Sequence, residues 1–273
     1  MLPINIRFLK LFNYEGIYFF VAIISGLIYF IYTCKKDNIN LDVMFEGVLY
    51  SFIAAIICGR VLSFVLWNPK ALIENPLVLI NIFKGLSGFT VTGAVLGGIV
   101  TGYVYARIKK IHFFYHMKYV IPSILIGQVI GRFGCFLNGD ASGIPTTLPW
   151  GIVFPPHSIA YMGMMIKGPD LPALHPTQFY EMAGNFILLS FMIFTGNNEW
   201  FTKRRLAFYA MGYGFIRFIV EFFRGDSVKF FNVFTTGQLI SFVGIIIGVI
   251  ILVWSVLNKD KMEVNPENIA YKK

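Results

Sequence analysis

The chain has 273 residues, 56% of them hydrophobic and 14% charged, with 29 phenylalanines and a mean hydropathy of +0.68. Soluble domains carry roughly 25% charged residues, so this composition excludes an ordinary soluble domain and points to an integral membrane protein. The net charge of +9 does not argue for nucleic-acid binding, because the basic residues sit in short clusters between apolar runs, as loop charges do.

A spanning helix needs about 20 mostly apolar residues, and seven stretches qualify. The fold class expected is therefore an all-α membrane protein: a single integral membrane domain over residues 1–273 with about seven spans. The first run is 14–33. The segment before it, MLPINIRFLKLFNYEG, starts basic but has no small-residue cleavage site, so a retained helix is expected and not a signal peptide. The second run is 43–66. The partly apolar stretch 67–87 is expected to lie in the interface as a short helix. The third run, 88–106, contains GAVLGGIVTG. Gly93 with Gly97 and Gly98 with Gly102 form small-xxx-small pairs, which let a neighbouring membrane helix pack closely.

The fourth run, 119–137, ends in GRFGCFLNGDASGIPTTLPWGIVFP, residues 131–155. Much of the proline and glycine then falls in 138–175, which is expected to be an ordered loop or small cap outside the membrane. The last three runs are 176–196, 206–224 and 234–257. With the N-terminus outside, the inner loops and tail hold 13 Lys and Arg and the outer side 6, the other four lying in or at the end of spans. That asymmetry predicts N-terminus out and C-terminus in, with the loop 138–175 on the outside of the membrane, which in a bacterium is the periplasm. Cys34, Cys58 and Cys135 give no disulfide framework and no zinc spacing.

Charges inside the spans are the informative residues. A lone arginine at mid-helix costs about 2.5–3.5 kcal/mol on insertion scales, so it stays only beside a partner, a wet cavity or a ligand. In the sixth run, GYGFIRFIVEFFRGD, Arg217 and Glu221 are four apart and share a helix face, with Arg224 three further on. An internal salt bridge accounts for the glutamate and one arginine. It leaves one positive charge unmatched, and Arg132 in the fourth run adds a second. Two such guanidinium groups near one membrane face call for an anion, and a phospholipid phosphate suits the planar fork. Gly131 and Gly134 flank Arg132, and Asn138, Gly139 and Asp140 end its helix with turn chemistry, continued by Gly143 and Pro145. Asp140 reads as a turn-former, a hydrogen-bond acceptor for a glycerol hydroxyl, or a base. Cys135 reads as a small packing residue. In LHPTQFYE, 174–181, His175 reads as a helix cap or a base, a turn and a half from Glu181; no metal site is expected from one histidine at this spacing.

At these residues the chain resembles the prolipoprotein diacylglyceryl transferases of the bacterial inner membrane. GRFGCFLNGDASGIPTTLPWGIVFP is similar to that family's signature, HPTQFYE to its second block and GFIRFIVEFFR to its third, in matching order across almost the whole chain. The resemblance implies seven helices with a periplasmic cap and a lipid-accessible cavity. It implies that phosphatidylglycerol donates its diacylglyceryl group to a lipobox cysteine thiol of a lipoprotein precursor, with glycerol 1-phosphate leaving and no metal or organic cofactor. Positioned arginines would stabilise the departing phosphate. Carried over by position, Arg132 and Arg217 are the essential pair and Arg132 grips the headgroup. Asn138 and Gly143 fall on the headgroup loop, Glu221 holds Arg217, Arg224 joins the residues that bind the lipid, and His175 and Glu181 stand as base or support. The chain departs from the pattern at Cys135, where many members have Asn, and at Asp140, where they usually have Glu. Thr92 stands where His or Tyr is expected, and Glu15-Gly16 where a Tyr-Gly pair is. Thiol activation is left to Asp140, His175 or water. Two rival readings are a non-catalytic phospholipid-binding or transport protein on this scaffold, and a channel. A channel would show charges along several spans and two-half symmetry, and the sequence has neither.

Overall fold

A computed structural model describes residues 14–67, 69–70, 89–156, 158–162, 166, 168, 170–227, 229–230, 234–263 and 269–271, with the side chains described from 17 onward. Seven long helices run through the described residues: α1 Tyr14–Lys36, α2 Leu41–Trp67, α3 Val91–Ile108, α4 Phe113–Asn138, α5 Thr177–Phe194, α6 Arg205–Glu221 and α7 Thr236–Leu257. Each sits on one of the seven apolar runs. The interfacial helix expected over 67–87 lies almost wholly outside the described residues. Five helices, α1 to α4 and α7, are long and apolar enough to cross a membrane by length and composition. The polar residues of α5 and α6 lower their apolarity.

Burial is inverted relative to a soluble protein. Phe19, Phe20, Ile28, Ile57, Phe186, Ile187 and Ile250 are exposed, while Gln178, Glu181, Asn185, Arg204, Arg205 and Glu221 are buried. Apolar side chains turned outward over several helices are the signature of a surface that meets lipid.

The chain divides into two compact units, Met1–Thr33 with Met117–Glu263, and Cys34–His116 with Val264–Lys273. In the second, α2 packs on α3 through glycine. A Cβ on Gly93 would lie 2.5 Å from the Cys58 carbonyl oxygen, and one on Gly97 would lie 2.6 Å from Cys58 Cβ. The Gly98 and Gly102 positions are looser, at 3.6 and 3.1 Å from Ser51 atoms. Glu46 on α2 pairs with Lys109 at 2.8 Å and accepts from the Tyr105 hydroxyl at 2.9 Å.

The first unit holds α4 to α7. Glycines again set the spacing. Gly184 of α5 faces Ile216, Gly212 of α6 faces Leu188, and Gly214 and Gly248 let α6 and α7 approach. α7 opens with a capping box: Thr235 Oγ1 accepts from the Gln238 amide and Gln238 Oε1 from the Thr235 amide, each at 3.0 Å. α4 contains Pro122, which has no N–H to give the carbonyl four residues back. That carbonyl, Lys118 O, accepts instead from Arg205 Nη1 at 2.8 Å. Arg205 Nη2 donates to Met192 O at 2.7 Å, and Arg204 Nη2 to Ser255 O at 3.0 Å. Two arginines thus satisfy carbonyls of α4, α5 and α7.

Candidate active site

Arg132, near the end of α4, is followed by a well-formed helix stop. Asp140 N donates to Cys135 O and Gly139 N to Phe136 O, each at 3.2 Å, and Gly139 takes φ +83°. This double bond with a left-handed glycine is a Schellman motif. It fixes where the chain leaves α4 and so aims the next five residues.

Those residues are clamped between the start of α5 and the end of α6. Gln178 Nε2 donates to Asp140 O at 2.7 Å, and Thr177 Oγ1 donates to Ala141 O. Gly143 N donates to His175 O at 2.9 Å, Ile144 N to Phe223 O at 2.8 Å, and Gly225 N to Ser142 O at 3.1 Å. Gly143 is bridged to Arg224 in antiparallel fashion. The three motif blocks are therefore joined by backbone hydrogen bonds. Beyond them, the described residues of 144–174 include a small core of Phe154, Ala160, Tyr161 and Leu174. Tyr161 ties it by donating to Pro172 O at 2.9 Å and accepting from Phe154 N at 3.1 Å.

At the centre is Glu181, 2% exposed. Its Oε1 pairs with Arg132 Nη2 at 2.8 Å and its Oε2 with Arg217 Nη1 at 3.0 Å. Tyr213 Oη donates to Oε1 at 3.2 Å. Arg217 Nη2 also pairs with Glu221 Oε2 at 2.8 Å, one helical turn on. Glu221 accepts a bond from Ser227 Oγ and lies against the first turn of α7 at Gly237. A helix N-terminus favours a carboxylate. Arg224 grips Asp226 through two bonds, 2.9 and 2.7 Å long, with Glu221 at 3.9 Å. The unmatched positive charge expected from the sequence is thus corrected: Glu181 and Asp226 supply the missing negative partners. The arginines are not sealed in, since 22% of the Arg132 side chain and 18% of the Arg217 side chain stay accessible.

The other predicted residues fall as follows. Asn138 is the last residue of α4, and Asp140 follows the stop. Cys135, in the last turn of α4, is a free, half-buried cysteine. His175 does not cap α5: Pro176 holds that position without a side-chain bond, and His175 Nδ1 lies 3.0 Å from Tyr180 Oη. Tyr180 Oη in turn accepts from Trp150 Nε1 at 2.7 Å. His175, Tyr180 and Trp150 line an apolar pocket of about 540 Å³ with Phe215, Ile219 and Phe223. Thr92 is exposed at the start of α3, and the side chain of Glu15 lies outside those described.

Sequence reasoning missed Tyr213, Asn185, Gln128 and Gly237. A signal for Tyr213 was present. Arg205, Tyr209, Tyr213, Arg217 and Glu221 follow one another at four-residue steps, which is a polar stripe along a membrane helix.

Residues 3–254 match the family described as prolipoprotein diacylglyceryl transferase. Curated relatives named "Phosphatidylglycerol--prolipoprotein diacylglyceryl transferase" include one from Clostridium tetani (strain Massachusetts / E88), 33% identical over 89% of this chain and 92% of its own. Another, from Clostridium botulinum (strain Langeland / NCTC 10281 / Type F), is 32% identical over 91% of this chain and 94% of its own. A cyanobacterial one, from Acaryochloris marina (strain MBIC 11017), is 30% identical over 92% of this chain and 89% of its own. With a match this long carrying all three motif blocks, the chain belongs to the prolipoprotein diacylglyceryl transferase family.

Proposed function

We propose that this chain is the transferase its relatives are named for. It moves the diacylglyceryl group of phosphatidylglycerol to the lipobox cysteine thiol of a prolipoprotein and releases glycerol 1-phosphate. One observation carries the reading: a single buried carboxylate, Glu181, holds an arginine from α4 and an arginine from α6 side by side, each with an accessible face. Two guanidinium groups held about one carboxylate are spaced for another bidentate oxyanion. The phosphate of the lipid takes up their open faces, with Arg132 on the headgroup. As the thiol sulfur bonds the glycerol carbon, the carbon–oxygen bond to phosphate breaks and its electron pair stays on the phosphate oxygen. Arg132 and Arg217 face that growing charge, in an apolar setting where such contacts are strong. Glu221, fixed by Ser227 and the α7 N-terminus, keeps Arg217 aimed.

Asn138, Asp140 and Gly143 form the headgroup loop, with Asp140 toward the glycerol hydroxyls and Arg224 at its rim. His175, engaged with Tyr180, serves as support. The chain is a single multi-pass domain in the bacterial inner membrane, with seven spans, the N-terminus out, the C-terminus in and residues 138–175 as a periplasmic cap.

The test uses purified full-length protein, phosphatidylglycerol labelled in its acyl chains, and a lipobox peptide. Label moves to the peptide thiol. Arg132→Ala inserts in the membrane but transfers nothing. Lipid binding without transfer by the native protein would instead favour a non-catalytic lipid carrier.

A further inference from the structure

Asn185 lies one turn beyond Glu181 on the same face of α5 and is fully buried, 0% exposed. Neither its amide nitrogen nor its amide oxygen has a hydrogen-bond partner among the described residues. An unpartnered amide in an apolar interior costs several kcal/mol, and native structures satisfy such groups with ordered water where protein does not. A second buried amide is half satisfied. Gln128 on α4 donates through Nε2 to Tyr209 Oη at 2.8 Å, while its Oε1 has no partner. Tyr209 stacks on Tyr213, with ring centroids 5.8 Å apart and planes 11° from parallel, and Tyr213 reaches Glu181. Unused donors and acceptors thus stand on α5, one turn from the central carboxylate, and on α4, beside the stacked tyrosine pair whose Tyr213 reaches it.

We propose that Asn185 and Gln128 bind ordered water inside the helix bundle. In the transfer reaction proposed above, on which this second step rests, that water relays the proton of the substrate thiol from Glu181 to the leaving phosphate. When phosphate draws Arg132 and Arg217 toward itself, the Glu181 oxygens they occupied are freed, and one of them takes the thiol proton. The sulfur–carbon bond forms, the carbon–oxygen bond breaks onto the phosphate, and the water at Asn185 takes the proton from Glu181 while giving one of its own to the departing phosphate. The arginines return to Glu181 as glycerol 1-phosphate leaves. Asn185 is then a positioning residue, acting through water on Glu181.

Two measurements test this. A crystallographic or electron-microscopy map of the full chain at water-resolving resolution should show density within hydrogen-bond reach of both Asn185 amide atoms. A dry Asn185 overturns the proposal whatever the activity. Kinetically, Asn185→Leu should lower kcat on the order of 100-fold, the lower end of proton-transfer contributions, with KM for phosphatidylglycerol unchanged. Asn185→Ser, which keeps a hydroxyl and makes room for one more water, should recover most of the rate. Wild-type kcat in Asn185→Leu overturns the relay. If Asn185→Leu does not fold, the serine variant and the map decide. A native protein that transfers nothing would sink the transferase reading alone, because the water density is scored without turnover.

Discussion

Arg132 and Arg217 stand on different helices and hold opposite oxygens of one carboxylate, at 2.8 and 3.0 Å through Glu181. Neither arginine is aimed by its own helix alone. The pair is a single device, and substitutions at its three members have different consequences.

Arg132→Lys keeps the charge and loses the planar fork. A point-like ammonium cannot give two parallel bonds to one phosphate. Charge-assisted hydrogen bonds are worth about 1.5–3 kcal/mol, so transfer should fall roughly 10- to 100-fold. Steady-state kinetics on labelled phosphatidylglycerol check this; a lysine enzyme at native rate would show that charge alone suffices.

Glu181→Gln preserves shape and removes the shared counter-charge. Two buried guanidinium groups then face each other across a neutral amide. Breaking a buried ion pair from one side costs about 3–5 kcal/mol. The variant should unfold at lower temperature in detergent and regain part of the loss when phosphatidylglycerol is added. Thermal melts with and without the anionic lipid measure it, and an unchanged melt would rule out Glu181 as the organising residue.

Gly143→Ala should damage the fold as well as the chemistry. A Cβ there would lie 2.4 Å from His175 Cβ, 2.6 Å from His175 O and 2.7 Å from Phe223 O. Two of these atoms are backbone, in segments that Gly143 itself holds together, so they cannot yield cheaply. Overpacking costs about 1–3 kcal/mol. A lower unfolding temperature together with lost transfer is expected; native stability would contradict the tight clamp around Gly143.

Gly237→Ala should do the reverse. The added methyl would meet the Glu221 carboxylate at 2.5 Å, which is the free end of a side chain. Glu221 can swing aside while the fold survives, but Arg217 then loses its partner one turn away. Transfer should drop severalfold with a melt close to native. Equal losses in both readouts would mean that Glu221 is structural only.

Much of this was legible in the residues. Seven apolar runs became seven helices because mean hydropathy over 20 residues needs no tertiary information. Helix ends were less so. The run read as starting at 119 begins at Phe113, since its aromatic and histidine residues continue the helix while lowering its apolarity. The run read to 224 stops at Glu221, because Arg224 turns out to pair with Asp226 and to bridge Gly143. The central arginines were legible as buried charges. Their counter-ion was not, since Glu181 comes from a third helix and no spacing rule links it to Arg132. Asn185 was hidden for a related reason. A lone amide in an apolar helix becomes informative only when its surroundings are known to offer it nothing.

The proline of α4 has a mechanical meaning. By leaving the Lys118 carbonyl open, Pro122 creates the acceptor by which Arg205 fastens α6 to α4. The same two helices carry Arg132 and Arg217 further along. They form tongs riveted at the handle: one hydrogen bond pins the axial register of the two helices, so the arginine pair at the far end is held level.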